Sequence, residues 1–388
     1  MSLTVSTQAM QQCVRLAALS LALLAGSAQA QIKIGFIFAA TGPNASLGVH
    51  YRDTIALLPK TLGGQPAEYL FVDDQSDATM AVKGARRMVL EDKVDVLVGS
   101  SSTPSSQGIA EVAAETHTPQ LAMAPIIIPQ DKWPWIFSVP QPVPLMMDAV
   151  VEHMVANGVR RVAYIGFADA WGDVVLKGFQ ADVDKARAQI QVVANERYAR
   201  NDTSVTGQVL KMVAANPDAV LIGASGTPGA LPQLALADRG FHGKVYHTHG
   251  AINREFLRIG GKAVEGAMAP AGPISVADQL PDSNPIKKVA GEFNRAYDAA
   301  YGQENRNAFA GYTYDAWVLV NAAVPGAIGK GKPGTAAFRQ ALRDGIEASK
   351  NVVGVHGIYT LSATDHSGTD QRARVMVRVE GGDWRYMP

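Results

Sequence analysis

The chain has 388 residues, of which 47% are hydrophobic and 18% are charged, a composition typical of a globular protein with a sizeable core. Lys and Arg together number 35, and so do Asp and Glu, so the formal net charge is zero. This balance, with no basic stripe or acidic tail, argues against nucleic acid as a partner, and the length suggests two domains.

The first thirty residues have the features of a secretory signal peptide. Arg15 is their only charged residue, an apolar run follows over residues 16–25, and residues 28–30 read Ala-Gln-Ala, a small-x-small cleavage pattern. A run of about ten residues is too short to span a bilayer. We therefore predict a signal peptide over residues 1–30 and a soluble, periplasmic mature chain.

The single cysteine of the chain, Cys13, precedes that apolar run. A lipoprotein signal needs its cysteine directly after the run, so we predict no lipid anchor. Because the mature chain then contains no cysteine, disulfides, thiol chemistry and Cys-based metal sites are excluded.

Beyond residue 31, predicted strands and helices alternate, and the strands end in small polar turns. This is the pattern of an α/β protein with parallel, doubly wound sheets. The first series has strands over residues 32–38, 68–72, 94–98 and 121–124 and helices over 49–62, 78–90 and 105–116. The second has strands over 162–167, 190–197, 219–222 and 244–247 and helices over 145–157, 174–187, 205–215 and 229–239.

A segment rich in proline and tryptophan, residues 125–144, separates the two series and is predicted to be loop and crossover. Past residue 270 the pattern changes to helices, followed by an alternating tail. We expect the helices to return to the first lobe and the tail to the second. The predicted division is a first lobe of residues 31–143 plus 273–350 and a second lobe of residues 144–272 plus 351–388.

The turn that follows the strand at residues 94–98 is the first candidate binding site. It reads Gly-Ser-Ser-Ser-Thr over residues 99–103 and leads into a helix, whose first amides have no internal partner and whose dipole favours an anion. Ligands of open α/β sheets bind at the carboxyl ends of strands, so such turns from both lobes should line one pocket. We expect a small anionic ligand there; an ordinary serine-capped loop is the alternative.

Motifs for nucleotide and metal binding fail on inspection. Residues 329–334 match GxGxxG and residues 326–332 match GxxxxGK, but both follow a helix, and Pro333 stands where a P-loop has Ser or Thr. His247 and His249 could share one strand face, yet no third ligand is evident. We therefore predict neither a cofactor nor a metal.

The whole mature chain resembles the periplasmic solute-binding proteins of ABC importers, in the branch headed by the Leu/Ile/Val-binding protein. The resemblance rests on the order and spacing of Lys33-Ile34-Gly35, Thr41-Gly42-Pro43, Asp73-Asp74-Gln75-Ser76-Asp77, Val98-Gly99-Ser100-Ser101-Ser102-Thr103, Ala168 to Asp173, Gly223 to Pro228, His249-Gly250 and Tyr314-Asp315-Ala316. It implies a type I fold, in which two doubly wound Rossmann-like lobes joined by three hinge crossings close on a ligand. It also implies delivery of the ligand to a membrane permease, without catalysis.

The same resemblance implies which positions hold the ligand. In amino-acid binders of the family, hydroxyls and amides of the first lobe hold the ligand carboxylate, and an aromatic and an acidic residue come from the second lobe. The aromatic position corresponds to Trp171, and the acid that pairs with the ligand's ammonium corresponds to His249. The full set of matching positions is Ser102, Thr103, Ile126, Ile127, Ile128, Trp171, Ser225 and His249.

Two departures from the family pattern argue against an amino-acid ligand. His249 stands in place of the acid, and Ile128 in place of a hydroxyl that would help hold the α-carboxylate. An ammonium buried without a counter-charge is destabilising, whereas an imidazole can donate to a carboxylate or a phenol. We therefore expect an organic carboxylate without an amino group, with an aromatic acid first and an aliphatic or dicarboxylic acid second.

Three other functions remain open at this point: binding of branched-chain or other amino acids, a sensory module that presents its ligand to a receptor, and an exported hydrolase that pairs Ser102 with His249. The hydrolase would lack an orienting acid and a nucleophile elbow. The partners we expect are a small carboxylate and an ABC permease of the inner membrane, bound by a monomer.

Overall fold

The computed structural model of the protein describes residues 31–127, 129 and 131–388. The predicted signal peptide and Ile128 therefore lie outside the described residues. The strands are β1 (Ile32–Phe38), β2 (Thr61–Leu62), β3 (Gln65–Asp73), β4 (Val96–Gly99), β5 (Gln120–Ala122), β6 (Ile136–Ser138), β7 (Arg161–Phe167), β8 (Gln191–Tyr198), β9 (Ala219–Gly223), β10 (Lys244–His247), β11 (Met268–Ala271), β12 (Val352–Val353), β13 (Ile358–Tyr359), β14 (Val375–Glu380) and β15 (Asp383–Met387).

The α-helices are α1 (Ala45–Ile55), α2 (Ala78–Leu90), α3 (Thr103–Glu115), α4 (Val143–Ala156), α5 (Ala170–Lys185), α6 (Thr206–Ala214), α7 (Leu231–Asp238), α8 (Arg254–Gly260), α9 (Lys287–Tyr301), α10 (Ala308–Ile328) and α11 (Ala336–Glu347). Among the described residues, no helix is both long enough and apolar enough to span a membrane.

Two sheets organise the chain into two lobes. The first lobe is built on a six-stranded sheet of order β2-β3-β1-β4-β5-β6, which is parallel apart from β2. The second lobe is built on a seven-stranded sheet of order β15-β14-β11-β10-β9-β7-β8, parallel from β11 to β8 and antiparallel at β14 and β15. The predicted α/β architecture with two mostly parallel sheets is confirmed.

Polar residues at the strand ends start the following helices. Asp77 caps α2, Ser102 caps α3 through the amide of Ser105 (3.3 Å), and Asp169 caps α5 through the amide of Trp171 (2.9 Å). Each cap satisfies an amide that the helix itself leaves unpaired. The short polar turns thereby hold the carboxyl ends of the strands next to helix N-termini.

Segments that are distant in sequence complete the core of the first lobe. Helices α10 and α11 bury Leu319 and Phe338 against Phe36 of β1. Tyr359 and Leu361 are buried in the same core, although the predicted division places residues 351–388 in the second lobe. Strands β14 and β15 do extend the second sheet. The lobe boundaries as such stay a prediction.

The helix predicted over residues 49–62 differs from the observed structure. Helix α1 lies earlier in the chain, and the end of the predicted segment forms β2, which pairs antiparallel with β3. Gly63 and Gly64 make the turn between these strands with φ of 53° and 80°, values that favour glycine. The Gly-Gly pair makes a tight turn, so the end of the predicted segment forms a hairpin strand and does not continue the helix.

Two buried strands were absent from the sequence prediction. Strand β6 lies inside the segment at residues 125–144 that we predicted to be loop, and all three of its residues are buried. Strand β11 contains Pro270, a residue that ordinarily argues against a strand. Both strands are only three or four residues long, and they are formed by pairing with neighbours in the sheets.

Candidate ligand-binding site

A cavity lies between the two lobes. Its wall is formed largely by turns that follow β4, β5, β7, β8, β9 and β10, together with helices α1 and α10. The lining residues are Leu47, Tyr51, Ser101, Ser102, Thr103, Met123, Ala124, Pro125, Pro140, Trp171, Arg200, Ser225, His249, Gly250, Phe309 and Tyr312. We call this cavity the cleft pocket.

The first-lobe wall of the cleft pocket carries hydroxyls that also support the protein. The Oγ atoms of Ser101 and Ser102 each accept a hydrogen bond from a backbone amide, which leaves their hydrogens free to donate. The Thr103 hydroxyl instead donates to the carbonyl of Pro125 at 2.8 Å. Two serine hydroxyls and the Thr103 amide, in the first turn of α3, are therefore the groups that can donate to a ligand from this wall.

The second-lobe wall carries two buried donors that have no partner. Trp171 and His249 are 4% and 5% exposed, and their rings meet edge to face at 5.6 Å. Trp171 Nε1 and His249 Nδ1 make no hydrogen bond within the protein. Gly250 lets the turn that carries His249 pack closely against Ser225, because a Cβ there would lie 2.6 Å from the Cβ of Ser225. Unpaired buried polar atoms are rare and costly, which suggests that a ligand pairs with them.

His249 is uncharged near neutral pH. Burial lowers the pKa of its imidazole to about 4, so one ring nitrogen carries a proton and the other can accept. Nδ1 has no partner, so no carboxylate holds the ring as the acid of a catalytic triad does. The geometry therefore does not support the hydrolase that pairs His249 with Ser102.

Arg200 lies on the wall of the cleft pocket, although the sequence analysis did not single it out. Its Nε donates to Asp169 at 2.6 Å, and its Nη1 donates to Asn44 at 2.9 Å and to Ser225 at 3.2 Å. The guanidinium lies over the Phe167 ring, 4.1 Å from the centroid. Its position just past the carboxyl end of β8 was the signal that could have identified it.

An aromatic surface completes the cleft pocket. The Tyr51 ring meets the rings of Phe309 and Tyr312 edge to face, at centroid distances of 5.7 and 6.2 Å. The hydroxyl of Tyr51 donates to the Met123 carbonyl, and that of Tyr312 donates to the side chain of Gln141. Because both hydroxyls are engaged with the protein, these residues offer the ligand mainly apolar ring surface.

Most of the predicted ligand-binding positions meet in this one cavity. Those that line it are Ser102, Thr103, Trp171, Ser225 and His249. Ile126 and Ile127 do not: they line a neighbouring groove that shares only Pro125 with the cleft pocket. Ile126 packs against the core of the first lobe and Ile127 is 56% exposed, so neither side chain faces the cleft pocket. Ile128 lies outside the described residues.

His247 and His249 do not form a metal site together. His247 Nε2 is hydrogen-bonded to the side chain of Gln233 at 2.6 Å, and burial lowers the pKa of His247 to about 3. Within the described part of the chain, no three His, Cys, Asp or Glu side chains lie close enough together to hold a metal ion. His247 is thus a hydrogen-bonded core residue.

The two lobes contact each other around the cleft pocket. Besides the bond from Arg200 to the first lobe, the amide of Thr227 donates to Ser46 Oγ at 3.2 Å. On another edge, His50 Nε2 lies 2.9 Å from Glu255 Oε1. These contacts join α1 and the residue before it to turns and helix α8 of the second lobe, so the structure is a closed form.

Comparison with known proteins agrees with this geometry. A sequence profile of the periplasmic binding protein family matches residues 31–383. An extracellular ligand-binding receptor from Rhodopseudomonas palustris HaA2 is 40% identical, with a TM-score of 0.90 over 92% of this chain and 100% of the other. A comparison with curated proteins returned no match.

Two more distant structures share the fold. A leucine-binding protein from Thermotoga maritima is 23% identical, with a TM-score of 0.79 over 92% of this chain and 98% of the other. An ABC-transporter solute-binding protein from Rhodopseudomonas palustris, solved in complex with benzoate, is 20% identical, with a TM-score of 0.77 over 92% and 95%. The resemblance inferred from the sequence is confirmed: the chain belongs to the periplasmic binding protein family and has its two-lobed type I fold.

Proposed function

We propose that this protein binds a small organic carboxylate that lacks an amino group, with an aromatic acid favoured, and delivers it to an ABC permease of the inner membrane. One observation carries the proposal: the residues lining the cleft pocket, all within the described part of the chain, offer hydrogen-bond donors and one guanidinium but no carboxylate. Such a wall matches a ligand that accepts hydrogen bonds and carries negative charge. Export to the periplasm rests on the predicted signal peptide.

The first-lobe wall suits the ligand's carboxylate. The hydroxyls of Ser101 and Ser102 can each donate, as can the Thr103 amide, and α3 directs its positive dipole end toward this turn. Arg200, whose charge is balanced by Asp169, adds N–H donors from the second lobe and, through Asn44, a bond between the lobes. A carboxylate bound here would strengthen closure.

The second-lobe wall suits an oxygen at the far end of the ligand. Trp171 Nε1 is a donor, and neutral His249 can donate from either ring nitrogen. On the same cavity wall, the rings of Tyr51, Phe309 and Tyr312 provide apolar surface for an aromatic ring. An aromatic acid with a polar substituent would use both walls, and a dicarboxylate is the second choice.

An α-ammonium finds no counter-charge on the lining. Asp169 is bonded to Arg200 and to the N-terminal amides of α5, so its charge is already compensated. The fold itself accommodates both classes, since a leucine-binding and a benzoate-bound protein share it at 23% and 20% identity. The lining residues therefore carry the choice of ligand, and binding of amino acids is the runner-up.

Calorimetry with pairs of ligands that differ only in the amino group tests this proposal. The mature protein is unfolded, dialysed to remove bound ligand and refolded, then titrated with 4-methylpentanoate against leucine and with phenylacetate against phenylglycine. We expect the acid of each pair to bind more tightly by about 100-fold or more, because only the amino acid buries an uncompensated ammonium.

A thermal-shift screen of benzoates, short mono- and dicarboxylates and branched amino acids then identifies the ligand class. A ligand at about 100 times its Kd should stabilise the protein by about 2.7 kcal/mol. Stabilisation by amino acids alone, or tighter binding of leucine than of 4-methylpentanoate, would contradict the proposal. Either result would mean that a group outside the cleft lining compensates the ammonium.

A further inference from the structure

A second cavity lies between the lobes and shares no lining residue with the cleft pocket. We call it the rear cavity. The second lobe contributes the start of α8 and the start of β15, the first lobe contributes α9 and the start of α10, and the crossing after β11 lies between them. The lining residues are Ile252, Asn253, Arg254, Ile274, Ser275, Asn294, Arg306, Asn307, Ala308, Asp383 and Trp384.

Three buried donors on this wall have no partner in the protein: Trp384 Nε1, Asn253 Nδ2 and Ser275 Oγ. Trp384 is 6% exposed and Asn253 is 2% exposed. The carbonyl oxygen of the Asn253 side chain is already occupied, since it accepts from the Phe256 amide at 2.7 Å. The indole and amide groups can therefore only donate, and their partner must be an acceptor.

The charged groups on the wall are paired with one another or with neighbouring carboxylates. Arg254 and Arg306 lie there with one carboxylate, Asp383, which is 3.1 Å from Arg254. Arg306 also pairs with Asp298 and Asp278, two carboxylates that are not part of the lining. The indole and amide nitrogens have no lone pair to offer a cation, whereas a small anion would accept a hydrogen bond from each of them.

We propose that the rear cavity binds a small inorganic monovalent anion of the size of chloride, and that this anion favours the closed form. The buried donors mark this cavity as they mark the cleft pocket, where Trp171 Nε1 and His249 Nδ1 are unpaired. Since both lobes contribute to the wall, an anion bound there holds them together. By linkage it raises the affinity of the cleft for its own ligand.

The test is a chloride titration of the mature, ligand-free protein, with sodium methanesulfonate keeping the ionic strength constant. The expected result is a saturable rise in Tm. No carboxylate ligand is present, so the outcome does not depend on the ligand proposed for the cleft pocket. Trp384→Phe removes the indole donor and keeps the stacking on Phe256, and Asn253→Asp keeps the helix cap but replaces the donor by a negative acceptor.

Each variant should weaken the apparent chloride affinity by about tenfold or more, since a charge-assisted hydrogen bond is lost. Trp317→Phe is the matched control, because its indole donates to Tyr69 outside the cavity, and it should bind chloride like the parent protein. A Tm that does not saturate with chloride, as expected if water alone fills the cavity, would overturn the proposal. So would a chloride response that survives unchanged in both variants.

Discussion

The two walls of the cleft pocket differ in how their polar groups are used. On the first-lobe wall, the Ser101, Ser102 and Thr103 hydroxyls all have partners within the protein, where they stabilise turns and the start of α3. On the second-lobe wall, Trp171 and His249 are just as buried, but each has a ring nitrogen without a partner. The first wall is therefore assembled without a ligand, whereas the second is completed by one.

The first wall therefore contributes mainly to the stability of the protein, and the second mainly to its affinity for a ligand. Losing a group from the first wall should destabilise the protein itself, because a helix cap or loop bond disappears. Losing a donor from the second wall should mainly lower ligand affinity, because no protein bond is broken. Substitutions on the two walls can therefore separate the two effects.

The largest expected effect comes from reversing the polarity of the second wall. His249→Asp places a carboxylate opposite an anionic ligand, and we expect calorimetry to show a loss of affinity for the best organic acid of about 100-fold or more. The ratio of the affinity for 4-methylpentanoate to the affinity for leucine should fall as well. His249→Asn, which keeps a neutral donor, serves as control with a loss of less than about tenfold. Unchanged acid binding by His249→Asp would contradict our assignment of the pocket.

Removing the guanidinium should have the next largest effect. Arg200→Met removes the N–H donors of the guanidinium and the bond to Asn44, and it leaves Asp169 without its ion-pair partner, so affinity for the acid should fall by about 10- to 100-fold. Arg197→Met is the matched control, because Arg197 pairs with Asp173 and does not line the pocket. Equal losses in the two variants would show that general positive charge, and not Arg200 itself, matters.

The uncharged state of His249 predicts a pH effect on stability. The pKa of His249 is about 4 in the folded protein and about 6.5 in the unfolded chain. The stability that the neutral imidazole contributes is therefore fully present above pH 6.5 and is lost as the pH falls toward 4. Asp315 acts in the opposite sense, because burial raises its pKa to about 7. Comparing the parent with His249→Asn therefore separates the contribution of His249 from that of Asp315.

Urea unfolding of both ligand-free proteins at pH 7 and pH 5 measures this contribution. Between these pH values, the free energy of unfolding of the parent should fall by about 1–2 kcal/mol more than that of His249→Asn. Only the parent has a buried imidazole that takes up a proton when unfolding exposes it. An equal loss in the two proteins would mean that His249 titrates normally in the folded state.

The smallest expected effect on affinity lies on the first wall. Thr103→Val removes the hydrogen bond to the Pro125 carbonyl and should lower the free energy of unfolding by about 1 kcal/mol. Acid affinity should stay within about threefold, because the Thr103 amide is kept. Ser102→Ala is the contrasting variant: it loses both the helix cap and a free donor, so stability and affinity should both fall. A large affinity loss in Thr103→Val alone would place its hydroxyl on the ligand.

Local patterns in the sequence sufficed to predict much of the fold. Alternating strands and helices with polar turns imply parallel sheets, and the end of each parallel strand lies at one edge. The turn residues Ser102, Trp171, Ser225 and His249 therefore come together at this edge, with little dependence on how the rest of the chain packs. The turn at Gly63 and Gly64 was not recognised in the sequence, and the helix predicted over residues 49–62 was therefore drawn too far.

Local periodicity and turn chemistry are enough to predict the α/β class, the two successive lobes and the polar turns that meet between them. The rest of the pocket depends on packing between segments that are distant in the chain. Arg200 is directed there by Asp169 and Phe167, and Tyr51, Phe309 and Tyr312 come from helices far apart in the chain. Ile126 is turned into the core instead. Such placements depend on packing between distant segments, which no local pattern records.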